Sequence, residues 1–181
     1  MRCSWCNLNN KKYVEYHDKE FGLLNDTSDR YLLEMLILES FQAGLSFECV
    51  LNKRDSFRKV YDNFDMDKII NYDEEYINGL LNNKNIIRNR LKINASISNT
   101  FIFKNIVKEF GCFYNYLKTF TNGCIYYEVG KNNSELSLAI SKDLNKRGMK
   151  FVGPTIIYSY LQAIGVIYSH DVDCFLYKKM I

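Results

Sequence analysis

The sequence predicts an all-α protein, and three observations support that prediction. Apolar residues recur at helical spacing, cap-type residues precede the apolar segments, and glycines follow them. The one strand candidate, CIYYEV at residues 124–129, is short and has no evident partner, so we interpret it as a loop. No repeat, low-complexity segment or linker divides the chain, and we expect one domain over residues 1–181, with two helical lobes around a cleft.

The N-terminal half contains the first predicted helices. In DTSDRYLLEMLILESFQAG, cap-type residues open a helix, and Gly44 follows it with a tight turn. Ser46 caps a second helix that we predict to run through Tyr61, and Asp65 and Asp73 cap shorter ones. The spacing of the first helix places on one face Leu32, Met35, Leu36, Glu39 and Ala43.

The C-terminal half contains the remaining predicted helices. A long helix covers residues 87–110 and is stopped by Gly111. Ser134 caps ELSLAISKDLNKR, and Gly148 ends that helix in the left-handed conformation. The Gly-Pro pair at 153–154 then starts TIIYSYLQAIG, because the first N–H of a helix has no helical partner and proline is tolerated there.

Composition excludes several classes of protein. The chain is 47% hydrophobic and 25% charged, which is ordinary for a folded globular protein and unlike a disordered one. MRCSWCNLNN lacks the apolar core of an export signal, and YLLEMLILES is too short and too charged to span a bilayer. We therefore expect a cytoplasmic protein with no membrane partner, whose six cysteines are thiols or metal ligands. The net charge of +3 permits a nucleic-acid partner without arguing for one.

Residues that bind soft metals occur at both ends of the chain. RCSWC contains Cys3 and Cys6, and HDVDC contains His170 and Cys174. Chain ends normally fray, so this placement suggests that something ties the two ends together.

Glu39 is the polar exception on the apolar face of its helix. It lies either hydrated at the rim of that face or inside a pocket where its charge needs partners. The turn at Gly44 brings Phe47 back towards it, so an acid and an aromatic ring could share one wall. The density of aromatic residues suggests a stacking pocket, although aromatic clusters also form ordinary cores. Four more aromatic residues precede Glu39 in the chain: Trp5, Tyr13, Tyr16 and Phe21.

A tight turn joins two helices in LNKRGMKFVGPT, within a hairpin at about residues 141–165. Gly148 and Gly153 let backbone N–H groups approach a phosphate, and the next helix adds its positive dipole end. A plain turn with solvated lysines would show the same pattern, so DNA binding stays open at this point. The basic residues of this segment are Lys142, Lys146, Arg147 and Lys150.

Together these segments resemble bacterial 3-methyladenine DNA glycosylase I, a family of the helix-hairpin-helix superfamily. The matching stretches are RCSW, YHDKEFG, LESFQAGLSF, KRGMKFVGPTIIYSYLQAIG and HDVDC, in the family's order from residue 2 to residue 174. The resemblance implies a monomeric base-excision repair enzyme with a base-binding cleft. Such an enzyme hydrolyses the N-glycosidic bond of 3-methyladenine in alkylated duplex DNA.

The resemblance also implies one structural zinc ion per chain, held by Cys3, His17, His170 and Cys174. Two thiolates and two imidazoles would form a closed tetrahedral site with no position for water. His170 and Cys174 are four residues apart, on one face of a helical turn. Cys6 remains an alternative to His17, because it forms a Cys-x-x-Cys pair with Cys3.

By the same resemblance, Glu39 is the main catalytic residue and accepts hydrogen bonds from the edge of the flipped base. An adenine methylated at N3 is cationic, so one carboxylate and several aromatic faces favour it over neutral adenine. Phe21 and Phe47 stand where the best-known members have tryptophan, which reduces the stacking area. The residues implied to stack on the base are Trp5, Tyr13, Tyr16, Phe21 and Phe47.

The resemblance assigns DNA binding to Arg147, Gly148, Lys150, Gly153 and Thr155. Thr155 occupies the position at which lyase members of the superfamily keep a Schiff-base lysine, so we expect a monofunctional enzyme that leaves an abasic site.

Asp173 is an alternative catalytic acid, because many superfamily members have an aspartate at the corresponding position. The best-known members of this narrower family lack it. Its place next to Cys174 also fits a solvated side chain or a partner of the metal site.

Two other functions stay open: a glycosylase with a broader or different lesion range, and a zinc-stapled DNA-binding module without catalysis. Glu39 and the aromatic set argue against the module, since phosphate binding needs neither.

Overall fold

The computed structural model describes residues 1–178. Within that range the chain is mostly helical, as predicted, and two short strands are the exception. The helices are α1 (Lys11–Lys19), α2 (Asp29–Gln42), α3 (Phe47–Leu51), α4 (Arg54–Val60), α5 (Met66–Ile69), α6 (Glu74–Asn82), α7 (Arg90–Phe110), α8 (Phe113–Thr121), α9 (Glu135–Lys146) and α10 (Pro154–Ala163). The strands are β1 (Tyr126–Tyr127) and β2 (Ile167–Tyr168).

Helix α2 is the central element. Ser28 caps it by accepting a hydrogen bond from the Tyr31 N–H, and every residue from Tyr31 to Phe41 is buried. It packs against α3, α7, α8 and α10, and a helix that is buried on all sides needs such neighbours around it. The sequence predicted one apolar face, whereas all faces of this part of α2 are buried. The position of Glu39 on the predicted face therefore does not by itself explain its burial.

Most predicted helix starts are confirmed by their cap hydrogen bonds. The side chains of Ser46, Asp65, Asp73 and Ser134 each accept a hydrogen bond from a backbone N–H of the helix that follows. These bonds span two or three residues, so the local sequence is enough to predict them.

Two predicted helix bounds are wrong. The helix capped by Ser46 ends at Leu51, and a separate helix, α4, follows, so no continuous helix reaches Tyr61. The long helix starts at Arg90 rather than at residue 87, because the Asn89 side chain caps it by accepting the Lys92 N–H at 3.1 Å.

The interpretation of residues 124–129 as a loop is also wrong in part. Tyr126 and Tyr127 form β1, which pairs in parallel with β2 in the register Tyr126–Ile167 and Tyr127–Tyr168. The partner follows α9 and α10 in the chain. A parallel pair needs such a long crossover, so no nearby sequence pattern could reveal it.

Helices α9 and α10 pack against each other and are joined by residues 147–153, which we call the α9–α10 turn. Gly148 has a φ of +102°, which confirms it as the terminator of α9. Pro154 is the first residue of α10, with Gly153 as its N-cap.

The end of α10 lies directly on the segment after α1. The Gly22 N–H donates to the Gln162 carbonyl at 2.8 Å. Gly165 has a φ of +77°, and a Cβ there would lie 2.2 Å from the carbonyl carbon of Leu23. Only glycine fits this contact. The contact joins the residues after α10 to the residues after α1, which are far apart in the chain. Within residues 1–178, no helix combines the length and the apolar character that crossing a membrane requires.

Candidate functional site

A pocket of about 280 Å³ is lined by residues of α1, α2, α3 and α10, by Lys131, and by residues of the segments before and after α1. It brings together every residue that the sequence implied for base binding. Those residues are Trp5, Tyr13, Tyr16, Phe21, Glu39 and Phe47.

The aromatic walls of the pocket touch one another. The ring centroids of Trp5 and Phe21 are 4.7 Å apart, and those of Tyr16 and Phe47 are 5.1 Å apart. Tyr13 and Tyr16 are three residues apart on α1, so both project from one face of that helix, with their rings inclined by only 5°. Mutual contact limits the motion of each ring, which suits a pocket for a flat ligand.

Glu39 lies against these rings and is 2% exposed. Its carboxylate accepts a hydrogen bond from the side-chain amide of Gln42, one helical turn further along α2. Burial raises the pKa of Glu39 well above its usual range, and the bond from Gln42 opposes that shift. A buried carboxylate with a neutral donor keeps uncompensated negative charge when it ionises, so the pocket favours a cationic ligand.

Tyr16 is the buried neighbour of this acid. Burial raises the pKa of its phenol well above the usual value, and the charge of Glu39 adds to that effect. The hydroxyl group therefore keeps its proton across the physiological pH range and remains a donor.

Sequence reasoning missed four residues of the pocket. Gln42 had a usable signal, because it lies three residues after Glu39 on the same helix. Lys131 also lines the pocket and pairs with Glu128 at 3.3 Å. The other two come from α10, more than a hundred residues away in the chain, and had no local signal. They are Ser159 and Gln162.

A second cluster joins the two ends of the chain. The candidate ligand atoms of Cys3, His17, His170 and Cys174 all lie within 4.8 Å of one another, and all four residues are buried. Cys3 Sγ is 3.4 Å from His170 Nδ1, and Cys174 Sγ is 3.5 Å from His17 Nε2 and 3.7 Å from His170 Nδ1. This group could hold a metal ion.

Neighbouring groups orient both imidazoles. His17 Nδ1 is 2.8 Å from Asp18 Oδ1, and His170 Nε2 is 3.0 Å from the carbonyl oxygen of Phe21. Because those acceptors take the outer ring proton, the inner nitrogen of each ring keeps a lone pair that can bind a cation. In the structure, the inner nitrogen of His17 accepts the Cys3 N–H at 3.1 Å. Arg2 donates two hydrogen bonds to the Asp18 carboxylate, both 2.8 Å long, and this lowers the pKa of Asp18 to about 2.

The structure places Cys6 and Asp173 outside the sites for which they were alternative candidates. Cys6 lies outside the cluster, with its thiol 3.9 Å from the Tyr13 carbonyl oxygen, so His17 is the fourth member. Asp173 is exposed and outside the pocket, whereas Asp171 supports the cluster. Its N–H donates to Cys3 Sγ at 3.3 Å, and its carboxylate accepts the Ser4 N–H at 2.7 Å.

The cluster and the pocket share a wall. The Trp5 ring centroid is 5.2 Å from that of His17, and the Phe21 ring meets the His170 ring edge-on at 5.2 Å. Two of the rings that line the pocket are therefore in direct contact with the imidazoles of the cluster.

The residues assigned to DNA binding differ in their exposure and in their contacts with the rest of the protein. Lys150 and Thr155 are exposed, at the α9–α10 turn and in the first turn of α10. Arg147 is partly exposed, and its guanidinium pairs with Asp143 at 2.7 Å and with Glu109 at 2.6 Å. These ion pairs hold its side chain at the end of α9, and its role in DNA binding stays a prediction.

Helix α10 connects the turn with the pocket. Thr155, Ser159 and Gln162 follow one another at helical spacing and so share one face. The seven-residue step from Thr155 to Gln162 corresponds to about 10 Å along the helix axis.

Comparison with solved structures first defines the class. The chain superposes on a crystal structure of 3-methyladenine DNA glycosylase I with a TM-score of 0.92 and 37% identity, over 98% of this chain and 100% of that chain. The Staphylococcus aureus 3-methyladenine DNA glycosylase I, in a structure that describes its recognition of 3-methyladenine, gives a TM-score of 0.91 at 26% identity, over 99% of this chain and 98% of that chain. This fold, with its aromatic pocket over a buried acid, is that of a DNA-repair glycosylase.

Sequence comparison then gives the family. The family model described as methyladenine glycosylase matches residues 5–177. DNA-3-methyladenine glycosylase 1 of Escherichia coli (strain K12) is 37% identical over 182 residues, which cover 97% of this chain and 96% of the relative. The DNA-3-methyladenine glycosylase of Haemophilus influenzae is 35% identical over 179 residues, or 96% of each. The chain belongs to the methyladenine glycosylase family.

Proposed function

We propose that this enzyme removes 3-methyladenine from alkylated duplex DNA by hydrolysing its N-glycosidic bond. The observation that carries the proposal is Glu39, an acid 2% exposed beneath an aromatic pocket. A base methylated at N3 is cationic, so a carboxylate and π-faces bind it better than they bind neutral adenine. The substrate named for the relatives agrees with that chemistry.

The reaction follows from this geometry. The damaged nucleotide leaves the duplex, and its base stacks among the rings above Glu39. The positive charge of the base already weakens the glycosidic bond, so no strong acid is needed to protonate the leaving group. The bond breaks with its electron pair passing to the base, which leaves as neutral 3-methyladenine. Water adds its hydroxyl to C1′ and releases a proton to solvent.

We propose that the enzyme is monofunctional. Thr155 offers a hydroxyl group at the position implied for a Schiff-base lysine, and a hydroxyl cannot form an imine with the sugar aldehyde. The product is then an intact strand with an abasic site.

We also propose that the terminal cluster holds one structural zinc ion. With Zn–S bonds of 2.3 Å and Zn–N bonds of 2.0–2.1 Å, a regular tetrahedron places sulfur and nitrogen about 3.6 Å apart. The measured sulfur–nitrogen distances are 3.4, 3.5 and 3.7 Å. A soft donor set of two thiols and two imidazoles fits zinc and leaves no position for a reacting water. Zinc would supply a fixed link between the two ends of the chain.

We propose that the turn acts as the hairpin of a helix-hairpin-helix motif and grips the DNA backbone. The start of α10 presents unpaired N–H groups and the positive end of a helix dipole, and Lys150 adds a charge.

We further propose that residues 1–181 form one domain and act as a monomer in the cytoplasm. Residues of one chain line the pocket and form the metal cluster, so neither site requires a residue from a second chain.

One experiment tests the reaction and both rivals. Alkylated duplex DNA is incubated with the protein, the released bases are identified by chromatography, and strand length is compared before and after alkali. We expect 3-methyladenine alone, with strand breaks only after alkali. Release of other methylated purines would identify a broader enzyme, and DNA binding without any release would identify a binding module.

A further inference from the structure

The α9–α10 turn contains a residue in an unfavourable conformation. Phe151 has a φ of +56°, in the left-handed region that side chains with a Cβ avoid. Glycine adopts this region freely, and glycines occupy positions 148 and 153 nearby, but a phenylalanine stands here. Such a conformation persists only where the surrounding structure holds it.

Buried side chains hold the backbone on both sides of Phe151. Asn99, on α7 and 2% exposed, accepts the Lys150 N–H and donates to the Lys150 carbonyl, both at 2.8 Å. Ser141, on α9 and 3% exposed, donates its hydroxyl to the Val152 carbonyl at 2.7 Å. The backbone groups of Lys150 and Val152, the residues on either side of Phe151, are therefore tied to two different helices.

We propose that Asn99 and Ser141 form a clamp that keeps Phe151 left-handed and thereby positions the turn for DNA. Phe151 lies two residues before Gly153, the N-cap of α10. A change of φ at Phe151 would redirect the backbone that enters α10 and the N–H groups at its start. Asn99 and Ser141 are positioning residues, since they act through the backbone of the turn. This inference rests on the proposed DNA-binding role of the turn.

Neither Asn99 nor Ser141 is among the described residues that line the base pocket, so binding of DNA and binding of the free base can be measured separately. Binding to DNA is followed by anisotropy on a duplex with an uncleavable abasic-site analogue. Binding of free 3-methyladenine is followed by quenching of Trp5, the one tryptophan of the chain, which lines the pocket. Both use the full, metal-loaded protein.

We expect Asn99→Ala to weaken DNA binding about 5- to 30-fold, the ratio that corresponds to the strain of one left-handed residue. Free-base binding should stay at the parent value. Ser96→Ala is the matched control, because Ser96 is also 2% exposed on α7 but bonds Tyr61 at 3.0 Å rather than the turn. It should leave DNA binding unchanged.

Rescue by glycine identifies the mechanism. In the double variant Asn99→Ala with Phe151→Gly, the left-handed conformation costs nothing, so DNA binding should return to within about 3-fold of the parent. Asn99→Ala with Phe151→Ala removes the same ring but keeps the strain, and it should stay weak. If Asn99→Ala does not fold, Ser141→Ala carries the same test from α9 and should be rescued by the same glycine.

Two results would overturn the clamp: parent-like DNA binding by Asn99→Ala and Ser141→Ala, or equal rescue by alanine and glycine at position 151. Failure of the proposed DNA-binding role of the turn looks different, because Gly153→Ala would then also bind DNA with the affinity of the parent protein.

Discussion

Glu39 combines an ionisable group with a position from which water is almost excluded. Its neighbours are aromatic rings and the Gln42 amide, so its charge is compensated only when a cation enters. The buried charge that we propose selects a methylated base therefore also destabilises the empty enzyme. Function and stability oppose each other at this residue.

Replacing Glu39 should separate catalysis from folding. Glu39→Gln keeps the shape and removes the charge, and we expect the single-turnover release of 3-methyladenine to fall about 100- to 1,000-fold at saturating enzyme. Asp173→Asn is the matched control and should be near normal, because Asp173 is exposed outside the pocket. The reverse pattern, with unchanged DNA affinity, would move the catalytic role to Asp173.

The same variant should be more stable than the parent, and increasingly so as pH rises. Burial raises the pKa of Glu39 in the folded state, so folding disfavours the ionised form. The penalty is absent below the unfolded pKa of about 4.3, grows as pH rises towards the raised folded value, and is constant above it. We expect Glu39→Gln to melt about 2–8 °C higher than the parent at pH 8 and nearly equal to it at pH 4.5. A gap that shrinks with rising pH would contradict this account.

At the scale of elements, α2 is tied to its neighbours by a buried ion cluster that sequence reasoning missed. Glu34 is fully buried and accepts hydrogen bonds from Arg54 at 2.6 Å, Arg58 at 2.8 Å and Arg30 at 3.3 Å. Arg54 also pairs with Glu20 at 2.7 Å, which joins the end of α1 to α2 and α4. The cluster therefore ties α1 and α2, two helices that line the pocket, to α4.

Breaking that cluster should cost far more than breaking a surface pair. Glu34→Gln leaves the buried Arg54 guanidinium without this carboxylate, and we expect a loss of about 3–5 kcal/mol in the free energy of unfolding, measured with urea. Glu74→Gln is the control, since Glu74 pairs with Arg90 at the surface, at 2.9 Å, and should cost less than about 1 kcal/mol. Similar losses in both variants would show that burial of the cluster does not matter.

The start of α10 offers a clean test of phosphate contact. Gly153 has an ordinary φ of −61°, and a Cβ there would meet nothing within 4 Å, so the fold should tolerate Gly153→Ala. A bound phosphate would meet the new methyl group, and we expect DNA affinity to fall about 10-fold with an unchanged melting temperature and metal content. Gly79→Ala in α6 has equal space and should bind DNA normally. Equal affinities would mean that the turn is only structural.

At the scale of the whole molecule, the terminal cluster closes the chain and supports the pocket. The Phe175 N–H donates to the Met1 carbonyl at 2.8 Å, so backbone contacts join the ends as well. Trp5 and Phe21 lie between the cluster and the pocket, in contact with His17 and His170. We therefore expect a change in the geometry of the cluster to alter the positions of these two rings in the pocket.

Removal of the metal should lower both stability and base affinity. We expect elemental analysis to find about one zinc per chain, and chelation to lower the melting temperature and to weaken binding of 3-methyladenine to the folded protein. His17→Ala should lose the metal, whereas Cys6→Ser should keep it. The opposite outcome for these two variants would replace His17 by Cys6 in the ligand set. Metal loss without any effect on base affinity would show that the pocket walls stand alone.

The sequence by itself determined the helical class, most helix starts and the candidate residues. Cap bonds such as those of Ser46 and Ser134 join residues two or three positions apart, so they depend on local chemistry alone. The resemblance added the grouping of the aromatic residues and of the metal ligands, and the structure brings both groups together. The single-domain and monomeric states stay predictions.

Only the tertiary structure decided which of several suitable residues occupy each site. Helix α2 is surrounded on all sides, and this, not its apolar pattern, buries Glu39. The choice of His17 over Cys6, and the pairing of β1 with β2, depend on contacts between distant parts of the chain. Such contacts are set by packing of the whole molecule, and the residues near each partner in sequence carry no signal of them.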